Sequence, residues 1–208
     1  MLRVGILTNV PPVLRELGHD PDRTLAEIGM NAAMLADPDA LIPFREVGTL
    51  LQHCVTRTGC DHFGLLVGER GNAATTGMVG LLVRNAPDVG TALADLLRYL
   101  HHHDRGGVPS LEVAGGRATL GYHIYEPDVP AADQVHAGGI AIALRIMQDL
   151  CGPNWRPTEV RLPFRKPVDT EAYRRIFKAP LRFDAEQAAL VFPARWLAQR
   201  LRNVDQDL

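Results

Sequence analysis

The sequence predicts an α+β domain, with a helical N-terminal third followed by antiparallel β-hairpins packed with crossing helices. Three observations carry that expectation. Apolar residues recur at helical spacing between Phe44 and Val55. The pair Gly115-Gly116 sits between two alternating runs, which is the pattern of a two-residue hairpin turn. The stretch from Ala132 to Cys151 then reads as a long helix that stops at Gly152-Pro153.

In chain order, Pro11–Leu17 and Asp22–Ile28 are expected as short helices, each running into a capping glycine, Gly18 and Gly29. The helix after Pro43 should end near Gly59 and bury Phe44, Val47, Leu51, Cys54 and Val55 on one face. His53 lies just off that stripe and is expected in solvent. A short apolar run, Met78 to Val83, is bounded by Gly77 and by "RNAPD". Asp88 is the expected N-cap of a helix whose inner face is Val89, Leu93, Leu96, Leu97 and Leu100. That helix runs out in His101, His102, His103 and Asp104.

The hairpin "SLEVA-GG-RATLGYHIY" opposes Val113 to Ala118 and Leu111 to Leu120, with Tyr122 and Ile124 continuing the face. Turn chemistry and alternation therefore agree. After the helix Ala132–Cys151, "TEVRLPF" reads as a strand showing Val160, Leu162 and Phe164 to one side. "DTEAYRRIFK" is a short helix with Ala172, Tyr173, Ile176 and Phe177 inward. "LRF" and "ALVF" read as a second hairpin around "DAEQA", and Pro193 opens a last helix, "ARWLAQRL". With no internal repeat or low-complexity linker, residues 1–208 are expected to be one domain, with a helical subregion over 1–60.

Composition removes several function classes. An apolar fraction of 46% and a charged fraction of 22% describe a chain able to bury a core. A net charge of −2 gives no basic surface to recruit nucleic-acid phosphates. Cys54, Cys60 and Cys151 are odd in number and lack CxxC spacing, which suits a reduced cytoplasmic setting. The N-terminus carries no secretory pattern, and the best membrane candidate, "AGGIAIALRIM", is interrupted by Arg145.

The histidine run is the most conspicuous chemistry. Successive helical residues point about 100° apart, so three adjacent imidazoles cannot converge on one ion while the helix persists. Zinc sites on a helix need i,i+3 or i,i+4 spacing, which is missing here. A polar helix end, where a protonated imidazole meets the helix dipole, is the expected reading of the run in place of a metal site. His103 and Asp104, three and four residues past Leu100, are the two expected to face inward. There is no GxSxG elbow, and "GLLVGERGNAATTG" matches neither phosphate-binding glycine pattern. "EPD" at Glu126–Asp128 reads as a turn.

Other features point to binding. Gly138 and Gly139 interrupt a helix interior, which marks close helix–sheet packing or room left for a ligand. Arg145 either snorkels to the surface or pairs with an anion. Tyr122, Tyr125 and Trp155 carry polar tips on apolar bodies.

Three long segments carry a family resemblance: "TGCDHFGLLVGER" (58–70), "TGMVGLLVRNAPDVGTALADLLRYL" (76–100) and "GPNWRPTEVRLPFRKPVDTEAYRRIFKAPLRFDAEQAALVFPARWL" (152–197). They closely resemble the N-terminal, arabinose-binding-like sensor domain of AraC-type transcription regulators. "ELGHDPDRTLAEIGMNAAMLADPDALIPF" looks like the helical start of the same domain. The resemblance implies small-molecule sensing and homodimerisation, without catalysis or a cofactor. It also implies DNA binding by a C-terminal helix-turn-helix part that this sequence lacks. "RNVDQDL" falls about where that family's linker would begin, so a truncated sensor is expected ahead of the alternative, a stand-alone domain.

The resemblance transfers no ligand-contact residues. From the residues themselves, a pocket is expected between the Gly115-Gly116 hairpin and the helices Asp88–His103 and Ala132–Cys151. His101, His103, Tyr122 and Arg145 are its expected polar lining. The alternatives are a metal-dependent hydrolase using His101–His103, or a ligand-free dimerisation module.

Overall fold

Short helices in the N-terminal third form where proline and an acidic cap start them. The computed structural model describes residues 1–201; residues 202–208, on which the linker expectation falls, lie outside the described residues. The chain opens with β1 (Leu2–Arg3) and a 3₁₀ turn, then α1 (Val10–Glu16), with prolines in its first turn. In α2 (Pro21–Ala26) the Asp20 carboxylate accepts the Arg23 N–H at 3.1 Å. After β2 (Leu41–Ile42), which pairs antiparallel with β1, comes α3 (Phe44–Thr58). Phe44, Val47, Leu51 and Cys54 are its buried stripe. His53 departs from expectation: α2 packs on this side of α3, leaving its Nε2 2.9 Å from the Thr24 carbonyl and 3.4 Å from the Glu27 carboxylate.

Next are α4 (Phe63–Glu69) and α5 (Met78–Arg84), the latter formed by the apolar run after Gly77. α5 buries Val79 and Val83, yet Met78, Leu81 and Leu82 are 80%, 58% and 47% exposed. In α6 (Val89–Tyr99) the Asp88 side chain accepts the Thr91 N–H at 2.8 Å, as its N-cap position requires. A 3₁₀ turn, Leu100–His102, extends the helix into the histidine run.

The hairpin of β3 (Gly107–Ala114) and β4 (Arg117–Ile124) has the expected register, Val113 against Ala118 and Leu111 against Leu120. Gly115 and Gly116 have φ of +56° and +74°, the doubly left-handed turn that matches strand twist. α7 spans Ala132–Cys151 and is followed by β5 (Glu159–Arg161), α8 (Glu171–Phe177), β6 (Leu181–Arg182) and β7 (Ala188–Pro193).

Five strands make one sheet in the order β3-β4-β7-β5-β6. The second expected hairpin is not formed. β6 pairs parallel with β5, because α8 serves as the crossover that parallel neighbours need, and β7 inserts between β4 and β5. The last helix is also shorter than expected, a 3₁₀ turn over Ala194–Ala198. Beyond it the backbone extends to pair with the start of α6, Val89 N–H to Gln199 C=O at 3.0 Å and Leu201 N–H to Pro87 C=O at 3.1 Å.

Two apolar clusters result. One gathers α1 to α4 and the opening turn around Leu14, Leu50 and Phe63; the other joins the sheet to α5, α6 and α8 around Leu93, Phe177 and Phe192. α7 serves both, giving Val135 to the first and Ala137, Ile140 and Leu144 to the second. It can do so because α4 lies on it backbone to backbone. A methyl on Gly64 would overlap the Gln134 backbone, and one on Gly68 would overlap that of Gly138. Gly138 thus serves helix–helix contact rather than the expected helix–sheet packing. Gly139 does face the sheet, where a methyl would stand 2.9 Å from the Tyr122 ring. Among the described residues, no helix is long and apolar enough to cross a membrane.

The two glycines should respond differently to alanine. Gly68→Ala drives a methyl into the facing backbone and should cost about 2–4 kcal/mol in urea unfolding. In Gly138→Ala the new methyl stands 3.0 Å from the Gly64 carbonyl oxygen. A helix-propensity gain of ~1 kcal/mol should bring that variant close to neutral. Equal losses would contradict this packing.

Candidate functional site

A cavity of about 120 Å³ lies where the two apolar clusters meet. The hairpin, the end of α6 and α7 border it, as the sequence suggests, through Leu120, Leu100 and Ile142. The opening turn, α3 and α4 close the remaining sides with Ile6, Phe44 and Val67. Gly64, Gly68, Gly138 and Gly139 also reach the wall, so the close approach of α4 and α7 leaves stretches of it without side chains.

The polar edge of the cavity is built on the residues that follow α6. As the 3₁₀ turn ends, the His103 and Asp104 N–H groups both reach back to the Leu100 carbonyl at 2.7 Å, and the two side chains turn inward. One Asp104 oxygen accepts the Gly106 and Gly107 N–H groups at 2.8 and 2.9 Å. The other accepts the Tyr122 hydroxyl at 2.7 Å. Gly107 is what lets that phenol pass, since any side chain there would occupy the position of the ring. Burial raises the Asp104 pKa, and the Tyr122 hydrogen bond, the two N–H groups and the N-terminal amine pull it back. Burial and then the adjoining carboxylate hold the Tyr122 hydroxyl well above its usual range.

His103 differs from its neighbours. It is 7% exposed and lines the cavity, and its Nδ1 has no hydrogen-bond partner. Burial, followed by the Arg3 guanidinium, lowers its pKa to about 4 against a weaker opposing pull from Asp39. The imidazole is therefore neutral at pH 7 and offers one donor and one acceptor nitrogen.

The other polar groups on the wall are engaged. Gln134 accepts the Gly64 N–H at 3.0 Å and donates to the Asp61 carbonyl at 2.9 Å and the Asp133 carboxylate at 2.8 Å. The Thr75 and Thr76 hydroxyls donate to the Asn72 and Ala73 carbonyls at 2.7 and 2.6 Å.

Of the four side chains singled out from sequence, the structure brings His103 and Tyr122 to the cavity. His101 is exposed and packs its ring on that of His102, centroids 4.0 Å apart. Arg145 points to the far side of α7, donating to the Glu69 carbonyl at 2.8 Å and the Glu69 carboxylate at 3.1 Å. Its partner is thus the end of α4. Tyr125 is exposed, and Trp155 is buried edge-on to Phe192 away from the cavity. Asp104, expected to face inward from its place one helical turn beyond Leu100, does so and lines the cavity, although it was not among the side chains singled out for the lining. Sequence reasoning passed over Gln134 and the opening turn, which carry no local signal. Among the described residues, no three His, Cys, Asp or Glu side chains are grouped to hold a metal ion.

Comparison with known proteins is consistent across sequence and structure. A family profile described as the arabinose-binding domain of AraC transcription regulator, N-terminal, matches residues 18–201. The HTH-type transcriptional regulator VirS of Mycobacterium tuberculosis is 24% identical over 185 residues, covering 88% of this chain and 54% of VirS. The chain thus spans about half the length of the curated relatives it matches. The crystal structure of the transcriptional regulator CdpR from Pseudomonas aeruginosa shares the fold, with a TM-score of 0.63 at 20% identity over 90% of this chain and 56% of that one.

The buried imidazole should mark the acid side of the stability profile. With a folded pKa of about 4 and an ordinary value of 6.5 when unfolded, His103 takes up its proton only on unfolding between those limits. Its contribution is complete above pH 6.5 and should fall by about 3 kcal/mol by pH 4. Asp104, with its pKa raised, acts in the opposite sense and favours the fold at low pH. Urea unfolding at pH 7, 5 and 4 should show a shallower acid loss for His103→Asn than for the wild type, and parallel slopes would contradict the assignment.

Proposed function

The chain belongs to the family of N-terminal arabinose-binding domains of AraC transcription regulators, and from that premise we propose that it is the cytoplasmic effector-sensing and dimerisation domain of such a regulator. DNA binding in this reading is the work of a helix-turn-helix part outside this chain. The observation that carries the proposal is the apolar cavity with His103 on its wall, a buried side chain whose Nδ1 has no hydrogen-bond partner. His103 and Tyr122 are the side chains we assign to effector contact. A ligand there touches the opening turn, α7 and the hairpin together. It acts by binding one arrangement of those elements more tightly than another, and so shifts the regulator between DNA-binding states.

Self-association is the second part of the proposal. Met78, Leu81 and Leu82 stand at i, i+3 and i+4 on α5 and form an exposed apolar ridge. A ridge of this spacing suits the same ridge on a second copy, packed as a helix pair about a two-fold axis.

Both parts can be tested on the purified chain. Ala143 lines the cavity from α7, so Ala143→Leu fills it. A metabolite library should contain compounds that raise the melting temperature of the wild type, by ~2.7 kcal/mol of added stability at a hundredfold excess over Kd. The same compounds should leave Ala143→Leu unmoved. A library with no hit, or hits indifferent to Ala143→Leu, would overturn the effector reading. Sedimentation of the wild type should give a concentration-dependent dimer that Leu82→Glu converts to folded monomer, and a dimer unaffected by that change would place the interface elsewhere.

A further inference from the structure

The effector itself has a chemistry that the cavity constrains, and reading it rests on the effector proposal above. We infer that the cavity takes a compact uncharged molecule of about one ring, carrying a single hydroxyl that meets His103: a phenol or a small alcohol, rather than a sugar or a carboxylate.

Size comes first. A cavity of about 150 Å³ lined by hydrocarbon accepts benzene, and this one offers about 120 Å³. A single ring or a short branched chain is therefore the scale of ligand it holds as it stands.

Polarity narrows the class further. A pentose brings a hydroxyl on almost every carbon, and each must find a partner once it leaves water. The wall does not supply them. The Thr75 and Thr76 hydroxyls and the Gln134 amide are committed to backbone or Asp133, and both Asp104 oxygens already accept from the protein. Among the described residues of the wall, His103 is the side chain with a buried nitrogen that meets no partner at all, which suits one ligand hydroxyl.

Charge narrows it again. No Lys or Arg lines the cavity, whereas the Asp104 carboxyl does. An anion would lose its water and gain no counter-charge. A cation would meet a carboxyl whose oxygens already accept from two backbone N–H groups and the Tyr122 hydroxyl. The neutral imidazole asks for a neutral partner.

Isothermal titration of the chain with phenol, toluene, benzoate, benzylamine and L-arabinose tests the inference. Phenol should saturate the wild type and bind about tenfold more tightly than toluene, the ratio one hydrogen bond sustains. His103→Phe keeps a ring of similar size without the nitrogens and should bring the phenol-to-toluene ratio near one. His103→Asn, which retains a polar group near the Nδ1 position, should restore part of the preference and serves in place of the Phe variant if that one does not fold. Ala143→Leu should abolish phenol binding. Saturable arabinose, benzoate or benzylamine binding that exceeds phenol and is lost in Ala143→Leu would overturn the ligand class while leaving the effector cavity standing. A phenol preference that survives His103→Phe, or phenol binding that survives Ala143→Leu, would overturn the site. Failure of all five probes would also overturn the inference, and the library screen then decides the effector reading independently.

Discussion

Helices separated by ordinary side chains pack with axes about 8–10 Å apart, and α4 and α7 meet more closely because glycine faces backbone on both. Gly64 stands against Gln134, and Gly68 against Gly138. The pair is fastened at each end: near its start the Gln134 amide takes the Gly64 N–H, and at the other end Arg145 closes on Glu69. Because α7 also packs on the sheet, its separation from α4 sets the distance between the two apolar clusters. The cavity is what that arrangement leaves open. The glycines that permit contact are also the positions where no side chain enters the space.

The residues after α6 form the second joint. The His103 carbonyl accepts the Arg3 N–H at 2.8 Å, and the Arg105 N–H reaches the Met1 carbonyl at 2.9 Å, so the start of the chain is held along this segment. Asp104 ties the same segment to the hairpin through Tyr122 and to the turn at Gly106 and Gly107. A carboxyl kept from water is costly unless donors surround it, and these donors come from the elements it joins. In the proposed sensing role, a molecule resting against His103 would press on the place where the opening turn, the end of α6 and the hairpin share partners. That shared position would give its binding a structural lever.

Much of the fold was legible because its signals are local. The hairpin register followed from Gly115-Gly116 and from the alternation on either side, and the Asp88 cap and the bounds of α7 followed from helix punctuation. The pairing of β6 was not legible. Whether β6 turns back on β7 or lies beside β5 depends on where α8 packs, which no short window contains. His53 and Arg145 were misjudged for a related reason, since periodicity around one helix does not show that α2 or the end of α4 covers it. At the cavity, spacing from Leu100 pointed inward to His103 and Asp104, and the hairpin face carried Tyr122. The far wall comes from residues distant in sequence, and only the assembled clusters bring Ile6, Phe44 and Val67 to it.

The order of the five strands has a consequence for the chain's behaviour among its own copies. One border of the sheet is β3, where Pro109 has no N–H to offer a newcomer and Glu112 holds an exposed charge. The opposite border is β6, only two residues long. Neither border gives another strand a continuous run of amides to copy. Growth of the sheet from molecule to molecule is thereby discouraged, and contact between copies is directed to side-chain surfaces, where a limited and reversible association can be specified.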